Sequence, residues 1–309
     1  MAGNILILSM TRMGDMIQTT PLIRGLKEKY PTAKITLLVT SDFASAVPLI
    51  PDVDESIVID LRQFDKQDNW EDLSWIKIYR YLEKSLEDIK SRNFDLLVNL
   101  SHSKFSALMV RLLGIKNVVG FYCNDFGNRM TGHPWMQFFS VEVFNRKYNE
   151  FNLVEIFSRS GGVDVRGCAI EVVRPQNQLS VDTLMSSKFG EEDILIGFQA
   201  GSSLEGRRWP VRSFANLADM LIEDFNARII IFGVDSENEV AEEIKNLAKN
   251  KDRISNLAGK TNLSELSRLL EKCKYLVTND TGTMHLAAAL GTKIVGLFFA
   301  HAHPYETAP

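Results

Sequence analysis

The chain has 309 residues, of which 45% are hydrophobic and 24% are charged, and its formal net charge is −4. These proportions are typical of soluble globular proteins and exclude collagen-like repeats, disulfide scaffolds and long disorder. A weakly acidic chain lacks the concentrated positive field of a nucleic-acid binder, so any phosphate of a ligand must be held by a local site. The length predicts two domains, each with its own core.

Cysteines and apolar runs indicate the compartment. Cys123, Cys168 and Cys273 are far apart and have neither CxxC nor zinc-ligand spacing, so we expect reduced, buried thiols in a cytosolic protein. The N-terminus has no basic segment followed by a long apolar stretch, which disfavours a signal peptide. No apolar run approaches the ~20 residues that span a bilayer, so we expect no transmembrane helix.

Short β-branched runs alternate along the chain with longer segments of helical period. Most runs are continuously apolar, as are strands buried on both faces of a parallel sheet. They predict strands at residues 5–8, 35–39, 57–59, 96–100, 194–198, 228–232, 275–277 and 294–298. Helices are predicted at residues 16–30, 70–92, 148–159, 214–225, 237–249, 263–272 and 284–290. This alternation predicts an α/β fold of two Rossmann-like, doubly wound domains that face each other across a cleft.

The boundary between the two sheet patterns is predicted near Arg174, where a proline and polar residues follow. This gives an N-terminal domain of residues 1–174 and a C-terminal domain of residues 175–309. Residues 122–146 interrupt the alternation and are rich in aromatic residues, Asn and Gly. They predict an irregular surface loop, and such loops often carry substrate contacts.

Ligands of open α/β sheets bind beyond the carboxyl ends of the strands, where four loops have unusual compositions. The first, SMTRMGD at residues 9–15, contains only Gly14 of the G-x-G-x-x-G fingerprint, which argues against an NAD or FAD enzyme. Asp15 stands at the entrance of the next helix. Its carboxylate suits either an N-cap or a general base that takes a proton from a substrate hydroxyl.

The second loop, GSSLEGRRWP at residues 201–210, is a near match to the P-loop pattern G-x-x-x-x-G-K-[ST]. It lacks the hydroxyl that would bind magnesium, which argues against an ATPase. Its small residues, backbone N–H groups and two guanidiniums suit a diphosphate held without a metal. We expect Arg207 to face the diphosphate and Arg208 to point away, and the alternative is a solvated basic turn.

The third loop, NDTGTMH at residues 279–285, lies between a predicted strand and a helix of small residues. Backbone N–H groups at the start of that helix would form an anion site. Asp280 can cap the helix, and His285 lies one turn further along the same side as Thr281. A histidine one turn above such a site is a candidate ligand residue, although a lone helical histidine is more often structural.

Other motifs carry less weight. In the fourth loop, GVDSE, the carboxylate of Asp235 or Glu237 could bind ribose hydroxyls or cap the next helix. The DVD sequence at residues 52–54 has the form of a metal-binding DxD but is predicted to be a turn. His301 and His303 have no third ligand at metal spacing.

Three segments together resemble glycosyltransferase family 9, whose best-known members are ADP-heptose:lipopolysaccharide heptosyltransferases. They are residues 9–15 with TTPL at 19–22, residues 201–210, and DTGTMHLAA at 280–288. The resemblance spans nearly the whole chain in the same order. It implies a GT-B fold, with the acceptor on the N-terminal domain and the sugar nucleotide on the C-terminal one. Family members usually continue into further helices, so we expect these closing helices to be missing here.

The resemblance also implies an activity and a site. The activity is inverting, metal-independent transfer of a sugar, with ADP-heptose as the expected donor, to a hydroxyl of the lipopolysaccharide inner core. Asp15 matches the catalytic carboxylate, with Arg12, Met13 and Gly14 on the acceptor side. The residues that match the donor site are Ser202, Ser203, Arg207, Glu237, Asp280, Thr281, Gly282 and His285.

We therefore expect no cofactor and no nucleic-acid partner. The expected partners are a nucleoside-diphosphate sugar and a lipid-linked saccharide acceptor, which would bring a cytoplasmic enzyme to the inner face of the cytoplasmic membrane. Two alternatives stay open from the sequence. One is a GT-B-like nucleotide-sugar epimerase or hydrolase, and the other is a non-catalytic nucleotide-sugar-binding protein.

Overall fold

The computed structural model describes residues 2–64, 74–137, 151–164, 169–175, 189–190, 193–299 and 303–309. The chain divides into two compact units, Met1–Ala169 and Ile170–Pro309. Each unit is built on its own parallel-rich sheet, which confirms the predicted α/β class. The division falls a few residues before the boundary predicted at Arg174.

The first unit contains a six-stranded sheet in the order β3-β2-β1-β4-β5-β6. Neighbouring strands from β1 to β5 are parallel, and β6 is antiparallel to β5. The strands are β1 (Asn4–Leu8), β2 (Lys34–Thr40), β3 (Glu55–Ile59), β4 (Leu96–Asn99), β5 (Val118–Cys123) and β6 (Arg129–Thr131). Residues 5–8 of the central strand β1 are each 0% exposed, as the continuous apolar pattern predicts for a strand covered on both faces.

The helices described in the first unit are α1 (Met13–Gln18), α2 (Thr20–Lys29), α3 (Ser74–Ser91), α4 (Lys104–Leu113) and α5 (Leu153–Ser160). The single helix predicted over residues 16–30 is two helices that meet at Thr19. Pro21 has no N–H for the carbonyl of Ile17, which accepts from the hydroxyl of Thr20 at 2.8 Å instead. The proline therefore explains the break.

The second unit contains a five-stranded, fully parallel sheet in the order β11-β10-β7-β8-β9. Its strands are β7 (Ile194–Gln199), β8 (Ala227–Phe232), β9 (Ile254–Asn256), β10 (Tyr275–Asn279) and β11 (Lys293–Leu297). Its described helices are α6 (Val211–Phe225), α7 (Asn238–Leu247), α8 (Leu263–Lys272), α9 (Gly282–Leu290) and α10 (Pro304–Thr307). The core packs around Phe198, Phe214 and Ile229, each 0% exposed.

Both sheets have the same strand order when read from the appropriate edge. In the first unit β2 and β3 lie on one side of β1, with β4 and β5 on the other. In the second unit β8 and β9 lie on one side of β7, with β10 and β11 on the other. This is the doubly wound arrangement. The switch point lies between β1 and β4 in the first unit and between β7 and β10 in the second. The predicted candidate loops after β1, β7 and β10 adjoin these switch points.

Several sequence predictions need correction. The segment predicted to be irregular over residues 122–146 begins with a hairpin, because β5 and β6 pair across a turn; residues 138–150 lie outside the described part. Helix α4 and strands β5 and β9 were not predicted. Cys123 and Cys273 are buried and free, whereas Cys168 and His301 lie outside the described residues. No helix in the described residues is both long and apolar enough to cross a membrane.

Candidate active site

Asp15 lies in the first turn of α1, directly after the loop that follows β1. Its carboxylate accepts a hydrogen bond from the N–H of Arg12 at 3.3 Å. Arg12 is the N-cap residue, so Asp15 caps the helix from its third position and is not itself the N-cap. Asp15 and Met13 are half-buried, Gly14 is buried and Arg12 is exposed. The cap contact occupies Asp15 without excluding the predicted role as a base.

Two buried polar residues fix this loop to strand β4, and the sequence did not indicate either. The hydroxyl of Ser101 accepts from the N–H of Met10 at 2.7 Å. Asn99, the last residue of β4, accepts from the N–H of Ser101 at 3.0 Å and donates to the carbonyl of Phe121 at 2.8 Å. Asn99 is 0% and Ser101 1% exposed. The loop that carries Asp15 is therefore anchored at the switch point.

A basic group lies at the same edge of the first sheet. The guanidinium of Arg129 on β6 donates to the carbonyl of His102 and lies 5.2 Å from the ring centre of Phe121. Burial lowers the pKa of His102, and the charge of Arg129 lowers it further. Arg129 thus supplies a positive charge beyond the carboxyl end of β4, and the lowered pKa favours the neutral form of the His102 imidazole.

The loop after β7 contains a short 3-10 turn, Glu205–Arg207. The residue that follows this turn is hydrogen-bonded to the beginning of the loop. Arg208 donates from Nε and Nη2 to the carbonyl of Ser202 at 2.9 and 2.6 Å. Arg208 therefore bonds within the loop, and its predicted orientation away from the diphosphate stays a prediction. Ser202 is 4% exposed, whereas Ser203 is exposed. The two guanidiniums therefore make different contacts. Arg208 bonds within the loop, whereas Arg207 extends from it towards Asp280.

Arg207 joins the second and third predicted loops. Its Nη1 lies 3.4 Å from Oδ2 of Asp280, and the two side chains are 15% and 10% exposed. Helix α9 begins at Gly282 with Thr281 as its N-cap residue, so Asp280 is not the cap that the sequence allowed. The structure thus brings the cation of Arg207 to a carboxylate that lies 73 residues away in the sequence, just before the start of a helix.

Glu237 joins the fourth loop to the second. Its Oε2 accepts from the side-chain amide of Gln199 and from the N–H of Val234, both at 3.0 Å. A Cβ on Gly201 would lie 1.9 Å from the carboxyl carbon of Glu237, so only glycine allows this approach. The side chain of Glu237 therefore caps the 3-10 turn Asp235–Glu237, and not helix α7 as one alternative had it, and it also lies against the first residue of the predicted phosphate loop.

His285 lies one turn into α9 and is only 5% exposed. Burial lowers its pKa to about 4, so the imidazole is neutral at pH 7. In the described part of the chain its Nδ1 has no hydrogen-bond partner. Nearby on the helix, the hydroxyl of Thr283 lies 3.3 Å from Oε1 of Gln199, so Gln199 contacts both Thr283 and Glu237.

Comparison with known proteins decides the family. A match to glycosyltransferase family 9 (heptosyltransferase) covers residues 82–309, more than half of the chain. This chain belongs to glycosyltransferase family 9. Lipooligosaccharide heptosyltransferase 2 of Haemophilus influenzae is 28% identical over 99% of this chain and 86% of its own length. The chain is therefore a glycosyltransferase, and neither open alternative gains support from its relatives.

Solved structures of family 9 proteins agree with the fold. The family 9 glycosyl transferase of Veillonella parvula superposes with a TM-score of 0.79 at 20% identity, over 99% of this chain and 84% of that one. The ADP-heptose LPS heptosyltransferase II of E. coli gives 0.72 at 22% identity, over 99% and 87%. At these identities the likeness concerns the fold, which is GT-B as the resemblance implied.

The DVD sequence of this family 9 chain lies away from the site. It forms a turn before β3, at the amino edge of the parallel sheet, whereas the Asp15 loop lies at the carboxyl edge. Nζ of Lys27 lies 2.6 Å from Oδ2 of Asp54. Partial burial opposes ionisation of this carboxyl, but the hydrogen bonds from Lys27 and from the N–H of Ile35 lower its pKa overall. Among the described residues no three His, Cys, Asp or Glu side chains cluster as metal ligands would.

Proposed function

We propose that this chain is an inverting heptosyltransferase that transfers L-glycero-D-manno-heptose from ADP-heptose to a hydroxyl of the lipopolysaccharide inner core. One observation carries the proposal: Arg207, Asp280, Glu237 and the start of α9 converge at the switch point of the second sheet. Such convergence of opposite charges, hydroxyls and a helix N-terminus suits a diphosphate attached to a sugar. The names of the relatives support heptose as that sugar.

The donor would bind to the second unit. Arg207, Ser202, Ser203 and the N–H groups at the start of α9 would neutralise the diphosphate, whose negative charge grows as the bond to the anomeric carbon breaks. Fixed charges and dipoles of this kind usually make the largest single contribution to catalysis. Three further residues would bind the rest of the donor: Glu237 the ribose hydroxyls, and Asp280 and His285 the sugar.

The acceptor would bind to the first unit. Asp15 would take the proton from the attacking hydroxyl, which then forms a bond to the anomeric carbon from the face opposite the diphosphate. This single displacement inverts the configuration of that carbon. Arg12, Met13 and Gly14 would contact the acceptor, and Arg129 is a further cation at this edge for its acidic groups.

The proposed reaction uses no metal ion. Arg207 and the helix start would do for the leaving diphosphate what a divalent cation does in DxD enzymes. A lipid-linked acceptor would place the enzyme in the cytoplasm, peripherally at the inner face of the cytoplasmic membrane. Excess EDTA should leave the transfer rate unchanged, and loss of activity that Mg²⁺ or Mn²⁺ restores would contradict the metal-free reaction.

The test uses the full chain with ADP-heptose and heptose-deficient lipopolysaccharide, and mass spectrometry of the acceptor. We expect one added heptose and equimolar ADP. UDP-glucose serves as the control donor and should transfer nothing. Consumption of ADP-heptose without any acceptor would indicate hydrolysis, and transfer from UDP-glucose alone would contradict the proposed donor.

A further inference from the structure

We infer that Asn279 is a positioning residue that holds the predicted diphosphate loop, residues 201–210, through Ala200 just before it and Trp209 near its end. It is the last residue of β10 and is 0% exposed. Its Nδ2 donates to the carbonyl of Ala200 at 2.7 Å, and its Oδ1 accepts from the N–H of Trp209 at 3.1 Å. The inference rests on the proposed function, because the loop matters for catalysis only if it binds the donor.

The side chain at this position must donate and accept at the same time. An amide does both within one rigid plane, whereas a carboxylate only accepts and an aliphatic side chain does neither. Leaving a buried N–H or carbonyl without a partner is costly, so both loop ends depend on the same side chain. This requirement explains an asparagine at the end of a buried strand, where branched apolar residues are usual.

The loop between these two ends has other internal supports. Arg208 bonds to the carbonyl of Ser202, and the ring of Trp209 packs edge-on against Phe214 in the core at 5.0 Å. With Asn279 at the two ends, contacts between protein groups alone support the backbone around Arg207. Binding then costs less conformational entropy than it would for a mobile loop.

The first unit has a buried asparagine at the equivalent position, which acts on its loop through a second residue. Asn99 ends β4 as Asn279 ends β10, and both strands lie next to the central strand across the switch point. Asn99 is also 0% exposed, and it acts through Ser101, which accepts the N–H of Met10 in the Asp15 loop. A buried asparagine thus fixes the candidate loop of each unit.

The test compares Asn279→Ala with Asn256→Ala in the full chain. Asn256 is a matched control, since it is 7% exposed, ends strand β9 of the same unit and makes amide hydrogen bonds to Asn238, Glu242 and Ala258. The readouts are the Kd of ADP by calorimetry, hydrogen exchange of residues 201–210, and Tm. We expect both variants to have a lower Tm than the wild type. Only Asn279→Ala should bind ADP about 10-fold more weakly and show faster exchange of the amide hydrogens in the loop.

A second variant covers the case in which Asn279→Ala does not fold. Asn279→Ser keeps one small hydrogen-bonding group, and we expect an intermediate loss of ADP affinity with faster exchange in the loop. Wild-type affinity and wild-type exchange in whichever variant folds would overturn the inference. Wild-type protein that binds UDP or GDP instead of ADP would contradict only the proposed donor, and the variants are then compared with that nucleotide. Wild-type protein that binds none of the three would overturn both proposals.

Discussion

At the residue scale, the carboxylate of Asp15 has two candidate roles. It caps α1 by accepting a hydrogen bond from the N–H of Arg12, and it is the proposed general base. Two variants separate the two roles. Asp15→Asn keeps an oxygen that can accept this hydrogen bond but cannot serve as a base, and Asp15→Ala removes both. If Asp15 is the base, both variants should lower kcat by about two to four orders of magnitude, with an unchanged Kd for ADP. Asp15→Asn with wild-type turnover would show that the carboxylate only caps the helix.

Arg207 supplies the cation that we place against the diphosphate. Because a hydrogen bond to a charged group is worth about 1.5–3 kcal/mol, Arg207→Ala should weaken ADP binding roughly 10- to 150-fold, and Arg207→Lys should recover part of this loss. Arg208 is not a neutral control, since it shapes the loop at Ser202; Arg208→Ala should also weaken binding. The control is the exposed Arg212 on α6, whose Ala variant should bind normally in the same calorimetric titration.

His285 should make the stability of the second unit depend on pH. Burial lowers the pKa of His285 to about 4 in the folded protein, whereas its pKa in the unfolded chain is about 6.5. The contribution of His285 to the free energy of unfolding is therefore complete above pH 6.5. It decreases by up to about 3 kcal/mol as the pH falls towards 4. His285→Gln lacks this proton and should show a flatter dependence. Parallel profiles for the two proteins in urea unfolding between pH 4 and 7 would contradict the buried neutral imidazole.

At the scale of elements, a buried carboxylate ties α6 to the end of α7. Asp219 is 7% exposed and accepts from the N–H groups of Lys249 and Asn250 at 2.9 to 3.0 Å. Asp219→Ala leaves both N–H groups without this acceptor and should cost about 3 kcal/mol in urea unfolding. The exposed Asp224 on the same helix is the control, and its Ala variant should change stability by less than about 0.5 kcal/mol. Equal effects would show that the buried contacts do not stabilise the unit.

Elements that the sequence missed lack a clear period or sufficient length. Helix α4 buries residues 106, 107, 109, 110 and 113 at helical spacing, but the exposed Leu108 and Leu112 obscure this period in the sequence. Strand β9 has three residues, too few for a pattern. Strand β5 is interrupted by Gly120, whose φ of +94° and close approach to the carbonyl of Asn99 admit no side chain. Strands with long, buried apolar runs, such as β1 and β8, were predicted nearly to the residue.

At the scale of the whole molecule, strand order determines which residues meet. The sequence indicated the loops that carry Asp15, Arg207 and Asp280, because their compositions are unusual next to strand ends. It gave no role to Asn99 or to Asn279, although Asn279 begins the third loop, since each gains its role only when a neighbouring strand brings it to the switch point. The orientation of Arg208 also depends on loop closure, which local sequence does not encode. Local chemistry is therefore predictable here, whereas the groups that hold it depend on topology.

The assignment of the donor to one unit gives a prediction for the complete chain. If ADP binds only at the switch point of the second sheet, it should slow hydrogen exchange in the loops after β7, β8 and β10 and at the start of α9. The loop of residues 9–15 in the first unit should exchange at its unliganded rate, because its anchors Ser101 and Asn99 belong to that unit. Ligand at 100 times its Kd adds about 2.7 kcal/mol to the state that binds it, which is enough for clear protection of the second unit. The same ADP concentration with Arg207→Ala should protect these loops less, and protection centred on residues 9–15 would place the nucleotide in the first unit and reverse the proposed division of labour.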